Sequence, residues 1–485
     1  MSLSGKAALI FIACVLAWRV DAQAPGASIA PKPASTQTNA PVQVTPPPQT
    51  GDPIFRGSVP QGEASSTPVA LSLGDAIQRG LRANLGLLTS EQSSREVRAQ
   101  RARALSALLP HVSGQINAVE QQVNLETFGI SFPGVPKIIG PFGYQSVQAN
   151  AEATLFDWSA INNLKSSREE TKAALLSVKN ARDLVVQAVG NAYLQIIADA
   201  ARITATQAEI DADNAVYTNA QRRHDAGTAI GLDVLRSQVE LKQRQQQLVA
   251  VRNQFDKDKL TLGRIIGLPV GQDFTVSDPA PTLPLATISL QDALRQAYDY
   301  RPDYQAAKAR VLAARLMLSG AKAERYPTLG VSGYYGDAGL HLFTNSHGVF
   351  NVTGSLKFNI FDGGRIKADI EQSDAELRNR SNELENLRGQ IDFDVRNALL
   401  DLNSAKAQVD VAQSNVQLAN QTVQQSHDRF TAGVTNTVEV VQAQQSQAEA
   451  DENLISAQYQ YNIAKVSLAR ALGLAEEKIG AYFSK

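Results

Sequence analysis

Few residues in this chain are spaced for catalysis or metal binding. The 485 residues include one Cys and five His, and no two His stand in an H-x-H or H-x-x-x-H arrangement. This composition excludes a Cys-based zinc site and argues against a metal enzyme. A G-x-x-x-x-G-K-[ST] phosphate-binding loop is absent, and no Ser/His/Asp or paired-carboxylate arrangement rises above chance. We expect a protein that is not an enzyme, uses no cofactor and cannot energise transport itself.

Two carboxylates stand out because their surroundings recur. Asp233 and Glu439 each follow a glycine by six residues, Gly227 and Gly433, in segments typical of a turn between two helices. Gly ends helices in the left-handed conformation, and an acidic residue stabilises the start of the next helix through its dipole. These roles suffice for all four residues. If several copies met around one axis, the carboxylates would also form rings, which favour cations and can hold a gate through links to basic groups.

The overall charge gives no sign of a nucleic-acid partner. Lys and Arg number 46 and Asp and Glu 47, for a formal net charge of −1. Nucleic-acid binding needs a basic patch or stripe, which this balance does not indicate. The apolar fraction of 43% is sufficient for a sizeable core.

Residues 1–24 have the pattern of a secretory signal peptide. Lys6 supplies the basic start, an apolar run extends from Ala7 to Trp18, and small residues follow. The run is shorter than the roughly 20 residues of a spanning helix, and no later stretch holds even about 18 consecutive apolar residues. We expect cleavage after Ala22 or Ala24 and an exported protein that has no helical membrane anchor.

Cys14 allows a second interpretation of this segment. Phe-Ile-Ala-Cys at 11–14 faintly resembles a lipoprotein box, whose Cys would carry lipid after cleavage. Apolar residues continue past Cys14, however, and Phe is a poor residue three positions before the cut. We favour an ordinary residue within the signal core.

A proline-rich tail follows the signal. Residues 25–69 hold 10 of the 20 prolines and four charged residues. Such a composition cannot form a core, so we expect an extended or disordered tail that serves as a linker or a loose strap.

The rest of the chain is a tandem duplication. Leu71–Ile77 (LSLGDAI) matches Ile288–Leu294 (ISLQDAL), and later matches keep the same order. We place a first repeat at 70–286 and a second at 287–485. The further matches are Ala226-Gly227 with Ala432-Gly433 and Gly267-Leu268 with Gly473-Leu474.

Each repeat contains one predicted hairpin. A proline, Pro110 or Pro327, precedes a segment in which the pattern changes from helical to strand-like. Val349–Ile360 alternates apolar and polar residues, which is typical of a strand that is wet on one face. We predict strands at about 111–157 and about 328–361, four in all. Their aromatic residues fit the outer face of a membrane barrel, and also the core of a soluble sandwich.

The remaining segments are predicted to be helical. Apolar residues recur every seven positions from Val234 to Leu262, which indicates a left-handed coiled coil. One long helix in each repeat, roughly 100 Å, matches two shorter helices stacked end to end. The predicted helices span about 72–108, 158–226, 232–267, 289–325, 363–432 and 438–473.

Four strands cannot close a membrane barrel, for which about eight are needed. Open edges are excluded from lipid because unpaired backbone groups find no water there. Membrane insertion therefore requires several copies. Two would supply about 8 strands, whose interior is filled by side chains, and three would supply about 12, which can hold an aqueous lumen, together with about 12 helical columns. We expect a mostly α chain with a small membrane β part: an oligomeric β-barrel with four strands per protomer, continuous with a long α-helical coiled-coil barrel.

The chain resembles the TolC-type outer membrane efflux proteins over residues 71–475. The resemblance rests on the duplicated Ser-Leu-x-Asp-Ala helix start, the Phe-Asp junctions at 156–157 and 361–362, and the repeat endings Leu262–Leu268 and Leu468–Leu474. It implies a homotrimer in outer membrane lipid, with a trimeric 12-stranded β-barrel and a helical tunnel in the periplasm. It also implies docking to a periplasmic adaptor (membrane fusion) protein and an inner-membrane RND-type or ABC-type transporter.

The resemblance assigns roles to the two helix-hairpin tips. Gly227, Thr228, Gly433 and Val434 would lie at the periplasmic mouth of the tunnel, where the adaptor docks.

It also places a gate beside these tips, with Asp233, Thr435, Asn436, Glu439 and Gln442 as aperture candidates. The family's gate has a basic residue where this chain has Thr435, and its lower acidic ring falls on Gln442. Both departures weaken the case for an ion-paired lock and a strongly cation-selective mouth. We hypothesise instead a hydrogen-bonded closure that involves Thr435, Asn436 and Asp233.

The predicted function is a passive outer membrane channel of a tripartite efflux system for small molecules. Two alternatives stay open at this point. One is the outer membrane component of a type I protein secretion system, which uses the same architecture. The other is a periplasmic coiled-coil scaffold that never enters the membrane.

Overall fold

The computed structural model describes residues 57–129, 133–134, 136–228, 230–278, 288–341, 345–432, 434–435 and 437–477. The predicted signal peptide with Cys14, the tail up to residue 56 and the predicted repeat boundary at 286–287 lie outside the described residues.

The described elements are long helices and a small number of strands. The helices are α1 (Leu73–Ala83), α2 (Leu85–Ser106), α3 (Trp158–Asp225), α4 (Gly231–Ile265), α5 (Leu290–Tyr300), α6 (Pro302–Ala323), α7 (Arg365–Thr431) and α8 (Thr437–Ala471). The strands are β1 (Val69–Leu71), β2 (His111–Asn124), β3 (Ile138–Phe156), β4 (Phe274–Val276), β5 (Thr328–His341) and β6 (Asn345–Lys357).

The two longest helices, α3 with 68 residues and α7 with 67, each extend roughly 100 Å. Each starts close behind a strand at an Asp. Asp157 accepts the backbone N–H of Ala160 at 2.9 Å, and Asp362 accepts that of Ile366 at 2.8 Å. A carboxylate at this position satisfies an unpaired N–H and suits the positive end of the helix dipole.

Part of α3 is unusually apolar. An 18-residue window is apolar enough to cross a membrane, but 56% of it is buried within the protein. Because α3 packs against α2, α4, α6 and α8, this composition is that of a core helix.

The predicted single helices at 72–108 and 289–325 are each two helices, which corrects the sequence analysis. The break falls at Asn84 in the first repeat and at Arg301 in the second, both with extended backbone. Asn84 caps α2 by accepting the N–H of Leu87 at 3.1 Å. Arg301 precedes Pro302, and a residue before Pro is disfavoured in the helical conformation. Side-chain capping and proline sterics thus override the helical periodicity.

The end of the predicted tail is ordered by backbone hydrogen bonds, which corrects the expectation of disorder up to residue 69. The N–H of Val59 donates to Ala83 O at 2.9 Å, and that of Gln61 to Gly267 O at 3.0 Å. The chain then enters β1, which pairs in parallel with β4. Strands of three residues give too short an alternation to be recognised from sequence.

The four remaining strands form one antiparallel sheet in the order β2-β3-β5-β6. Rows across the sheet separate the two faces. One row is Val112, Ala151, Gly333 and Val352, and the next is His111, Glu152, Ser332 and Thr353. Val112 is 75% exposed and Phe350, on the same face, 76%. One face is therefore apolar and open while the other is polar, the alternation of a membrane strand.

The helices pack along seams predicted by the seven-residue repeat. Leu241, Leu248 and Leu262 of α4 are buried, the first two against α3. Tyr461 and Leu468 of α8 are buried with residues of α5 and α7. Each repeat thus has its own core, and α3 packs against α8 and α6 to join the two.

Two helices leave an apolar face without a partner in the described chain. On α4 the exposed residues are spaced by three, four, ten and eleven positions, which keeps them on one side of the helix, and on α7 a similar stripe runs along the helix. The α4 stripe holds Leu232, Leu235, Val239, Val249 and Leu260, and the α7 stripe Phe393, Leu400, Val411 and Leu418. In the half of the chain near the hairpin tips, α4 and α7 are the outer members of a layer ordered α4-α3-α8-α7.

Candidate functional site: the helix-hairpin tips

The first tip joins α3 to α4 through a tight turn. Gly227 has φ +74°, a left-handed conformation that Gly adopts without strain. Thr228 closes the turn twice, because its N–H and its hydroxyl both donate to Arg223 O, at 2.8 and 2.9 Å. The turn is thus a rigid helix terminus whose outer residues are exposed.

The second tip, between α7 and α8, repeats this geometry. The N–H of Val434 donates to Arg429 O at 2.9 Å, as that of Thr228 does to Arg223 O. Val434 is 68% exposed. Gly433 and Asn436 lie outside the described residues.

A polar cluster holds the start of α8 against the end of α7. Arg429 Nε lies 3.1 Å from Glu439 Oε1, and the hydroxyl of Thr435 donates to Glu439 Oε2. Glu439 is therefore engaged on both oxygens. The two ion-paired side chains are 56% and 40% exposed, so the pair is worth about 0–1 kcal/mol.

The other aperture candidates are not part of this cluster. The backbone N–H of Asp233 donates to Ile230 O at 3.0 Å, and its carboxylate has no ion pair within the described residues. Gln442 is exposed on α8. The hydrogen-bonded closure of Thr435, Asn436 and Asp233 stays a prediction.

Two contacts at the tips were missed by the sequence analysis. The first is the ion pair of Arg429 with Glu439, in which Arg429 supplies a positive charge that the hydroxyl of Thr435 lacks. The guanidinium of Arg223 lies 4.6 Å from the ring of Phe430, joining the two hairpins, and Phe430 is buried with Val216 and Val440. Arg223 and Arg429 occupy equivalent positions in the two repeats, so the duplication was a signal that could have found both.

Behind the first tip, one arginine lies among three carboxylates. Arg244 of α4 is 3.3 Å from Glu209 and 3.9 Å from Asp213, both on α3, and 3.5 Å from Glu240. Burial raises the pKa of Asp213 to about 6 although Arg244 opposes the shift. The cluster ties α3 to α4, and Gln445 of α8 extends it by donating to Glu240 at 3.0 Å.

A similar cluster lies further along α3. Arg202 is 2.9 Å from Asp199 and 2.9 Å from Glu452 of α8. Burial, and then the neighbouring Asp258 carboxyl, raise the pKa of Asp199 to about 6. Within the described part of the chain, no group of His, Cys, Asp and Glu has an arrangement that could hold a metal ion.

The comparisons with known proteins bear on this architecture. A family model described as outer membrane efflux protein matches residues 76–268 and, separately, 293–474. The two matched stretches correspond to the two repeats.

Individual relatives are distant but cover most of the chain. The pyoverdine export outer membrane protein OpmQ of Pseudomonas aeruginosa is 24% identical over 422 residues, 83% of this chain and 85% of the relative. The toluene efflux pump outer membrane protein TtgF of Pseudomonas putida is 23% identical over 382 residues, 76% of each chain. The crystal structure of the CmeC outer membrane channel of Campylobacter jejuni matches with a TM-score of 0.71 at 16% identity, covering 92% of this chain and 98% of the other. The structural match shows a shared fold.

Proposed function

This chain belongs to the outer membrane efflux protein family, and from that premise we propose that three copies form a passive channel across the outer membrane. The channel receives small molecules from an inner-membrane pump through a periplasmic adaptor. The four-stranded sheet lies in the membrane, and the helices extend into the periplasm as a tunnel.

The unpaired edges of the sheet carry this proposal. β2 and β6 are the outer strands, and each presents a row of backbone N–H and C=O groups without a strand partner in the described part of the chain. Together with the exposed apolar face, this arrangement is unsuitable for water and, as a single sheet, for lipid. Edge-to-edge joining of three copies satisfies every edge, and three sheets of four strands give twelve.

The helical layer has matching free edges. The exposed apolar stripes of α4 and α7 lie on opposite sides of the α4-α3-α8-α7 layer. Ring closure brings α4 of one copy against α7 of the next, which buries both stripes by coiled-coil packing. The same symmetry therefore closes the barrel and the tunnel.

The names of the relatives support small-molecule cargo. OpmQ is a pyoverdine export protein and TtgF belongs to a toluene efflux pump. We assign this chain to the same broad role, with the pump of the RND or ABC type. The tips at Gly227, Thr228, Gly433 and Val434 dock the adaptor. The open apolar face of the sheet argues against a periplasmic scaffold that never enters the membrane, and no feature favours a type I secretion role.

Cysteine pairs across the proposed junction test the assembly. Ser113 of β2 and Thr353 of β6 lie on the polar face, and β2 and β6 of neighbouring copies would run antiparallel. In a chain with Cys14 replaced by Ser, Ser113→Cys is combined with Cys at Asn351, Thr353 or Ser355. Mild oxidation should produce cross-linked dimers and trimers at one of these registers.

Each single-Cys variant is the matched control and should stay a monomer on denaturing gels. If every double-Cys variant also stays monomeric while the protein remains in the membrane fraction, the edges do not pair between copies and the proposal fails.

A further inference from the structure

The four points where the sheet meets the helices together carry an excess of positive charge, which comes from three of them because the segment 157–166 is neutral. These junctions lie between α2 and β2, β3 and α3, α6 and β5, and β6 and α7. Residues 98–110, 157–166, 317–327 and 357–369 contain nine Lys and Arg and four Asp and Glu. The whole chain, in contrast, has a formal net charge of −1.

The four acidic residues at the junctions are already engaged. Asp157 and Asp362 accept backbone N–H groups at the starts of α3 and α7. Glu324 lies 2.8 Å and Asp369 2.9 Å from the guanidinium of Arg365. Within the described residues these four carboxylates form no ion pair with a junction cation other than Arg365.

Five exposed cations form what we term the junction belt. Within the described residues none of them has an ion pair, and Lys165 lies 5.5 Å from the ring of Trp158. Favourable interaction with helix C-termini accounts for the cations at the ends of α2 and α6. It does not account for Lys165, near the start of α3. Lys357 is not included because it lies on the polar face of β6, as Thr353 does. The belt comprises Arg101, Arg103, Lys165, Lys322 and Arg325.

Large apolar side chains are exposed at the same level. Phe156 and Trp158 stack at 6.2 Å between ring centroids, and Tyr326 is 60% exposed. Phe358 and Phe361, which follow β6 in the sequence, are also exposed. An apolar band with Lys and Arg at its border is the composition of a surface that lies at a membrane boundary, where long cationic side chains reach the headgroups.

The opposite end of the sheet lacks this excess. In the described parts of the two hairpin turns, Lys137 is the one Lys or Arg, and it lies 2.5 Å from Glu126. Glu120 and Asp337 add negative charge there. The belt is thus a property of the helix side of the sheet.

Helix contacts hold the junctions together laterally. The backbone of Gly320, at the end of α6, lies so close to α3 that an added Cβ would be 2.7 Å from Asn163 Oδ1. The ion pair of Arg365 and Glu324 joins the start of α7 to the end of α6. Lys322 and Arg325 therefore lie close to the first turns of α3, which carry Trp158.

We propose that the junction belt binds the phosphate headgroups of anionic phospholipids in the membrane leaflet that faces the helices. This inference rests on the proposed function, since it requires the sheet to lie in a bilayer. Unpaired cations next to an exposed apolar band attract anionic lipids, and each cation near such a surface favours them about fivefold. Anionic lipid should therefore be enriched around the channel at this level.

Trp158 is a natural reporter of this enrichment, because Trp18 is the other Trp in the chain. The full-length Trp18→Phe protein is inserted into phosphatidylcholine vesicles that carry a minor fraction of brominated phosphatidylcholine or of brominated phosphatidylglycerol. Bromine quenches Trp fluorescence at contact distance. We expect the brominated anionic lipid to be enriched at Trp158 about fivefold over the zwitterionic one, and the enrichment to fall with added salt.

Lys322→Gln/Arg325→Gln removes two belt charges close to the first turns of α3 and leaves Lys165 in place. It should bring quenching by the two lipids closer to equality. Arg252→Gln/Lys257→Gln removes two exposed charges from α4, which is not joined to the four-stranded sheet, and should leave the preference unchanged. Equal quenching by both lipids in the parent protein, or an unchanged preference in the belt variant, would overturn the inference.

The same samples separate this inference from the proposed function. Insertion into pure phosphatidylcholine with quenching by brominated phosphatidylcholine shows that the sheet enters a bilayer, whatever the lipid preference. A chain that enters neither kind of vesicle contradicts both proposals.

Discussion

At the residue scale, the gate candidate Glu439 has two partners within one copy of the chain. Its carboxylate accepts the hydroxyl of Thr435 and faces Arg429 at 3.1 Å. The ion pair partly neutralises a carboxylate that the trimer would repeat three times. Asp233, the equivalent acidic residue of the first tip, has no such cation within the described residues. The two rings should therefore differ in effective charge.

Removing Arg429 tests whether its guanidinium neutralises the Glu439 carboxylate. Arg429→Gln should raise the cation-over-anion permeability ratio of the channel, because the Glu439 carboxylates lose their counter-charge. The exposed pair is worth about 0–1 kcal/mol, so the opening equilibrium should shift by no more than about fivefold. Single-channel recordings in planar bilayers measure both quantities.

Arg222→Gln, which removes an exposed cation from the first tip, is the matched control. It should leave the Arg429–Glu439 ion pair intact and the cation-over-anion permeability ratio of the channel unchanged. Glu439→Gln should lower the cation preference. If Arg429→Gln and the parent protein have the same permeability ratio, Arg429 does not neutralise the ring.

The candidate site was predictable from sequence in part. The turn glycines and the acidic residues follow from the repeat and from helix-terminus rules, and Gly227 has the expected positive φ. The partners of Glu439 were not predictable, because a contact across the hairpin depends on which faces of α7 and α8 meet. Thr435 is not basic, yet Arg429 places a positive charge beside the Glu439 carboxylate.

At the element scale, the long helices were easier to predict than their interruptions. No proline lies between residues 142 and 268 or after residue 327, and the predicted bounds of α3 and α7 agree with the structure to within a few residues. One break lies at Asn84, whose side chain caps α2, and the other at Arg301, which precedes Pro302. Hydrophobic periodicity does not predict such breaks. The β1–β4 pair depends on residues about 200 positions apart that hydrogen bond through their backbones. Such pairing carries little sequence signal.

Buried carboxyls between helices predict a pH dependence for the α3–α4 contact. Asp213, 5% exposed, faces Arg244, Glu209 and Glu240, and its pKa is raised from about 4 to about 6 mainly by burial. A raised carboxyl pKa means that the folded state binds a proton more tightly than the unfolded state. The contact is therefore most stable below about pH 4 and loses stability as the pH rises through about 6.

Amide hydrogen exchange, corrected for the intrinsic effect of pH, measures this contact. Protection near Asp213 and Arg244 should increase as the pH falls from about 7 to about 5. Asp213→Asn should weaken this dependence and raise protection at neutral pH. Part of it should stay, because burial also raises the pKa of Glu209, which contacts Arg244 too. Asp211→Asn, at an exposed position on the same helix, should keep the full dependence. A loss of protection on acidification would show that the ionised Asp213–Arg244 pair dominates instead.

At the scale of the whole molecule, one chain is an incomplete object. Within the described residues, the two outer strands of its sheet each have one unpaired edge, and its helical layer ends in two exposed apolar stripes. The sequence predicted this incompleteness from strand number alone, and the family match agrees with it. Which helix faces meet between copies depends on packing geometry, so the α4 and α7 stripes could be recognised only once the layer order was known.

The most direct test of the central claim is conductance. The purified full-length chain should form a particle of three copies and produce discrete conductance steps in planar bilayers. Phe350→Lys, on the apolar face of β6, should impair insertion by about 2–4 kcal/mol if it lies near the bilayer midplane, whereas Asn351→Lys on the other face should still insert. A water-soluble single chain that gives no conductance steps would contradict the account.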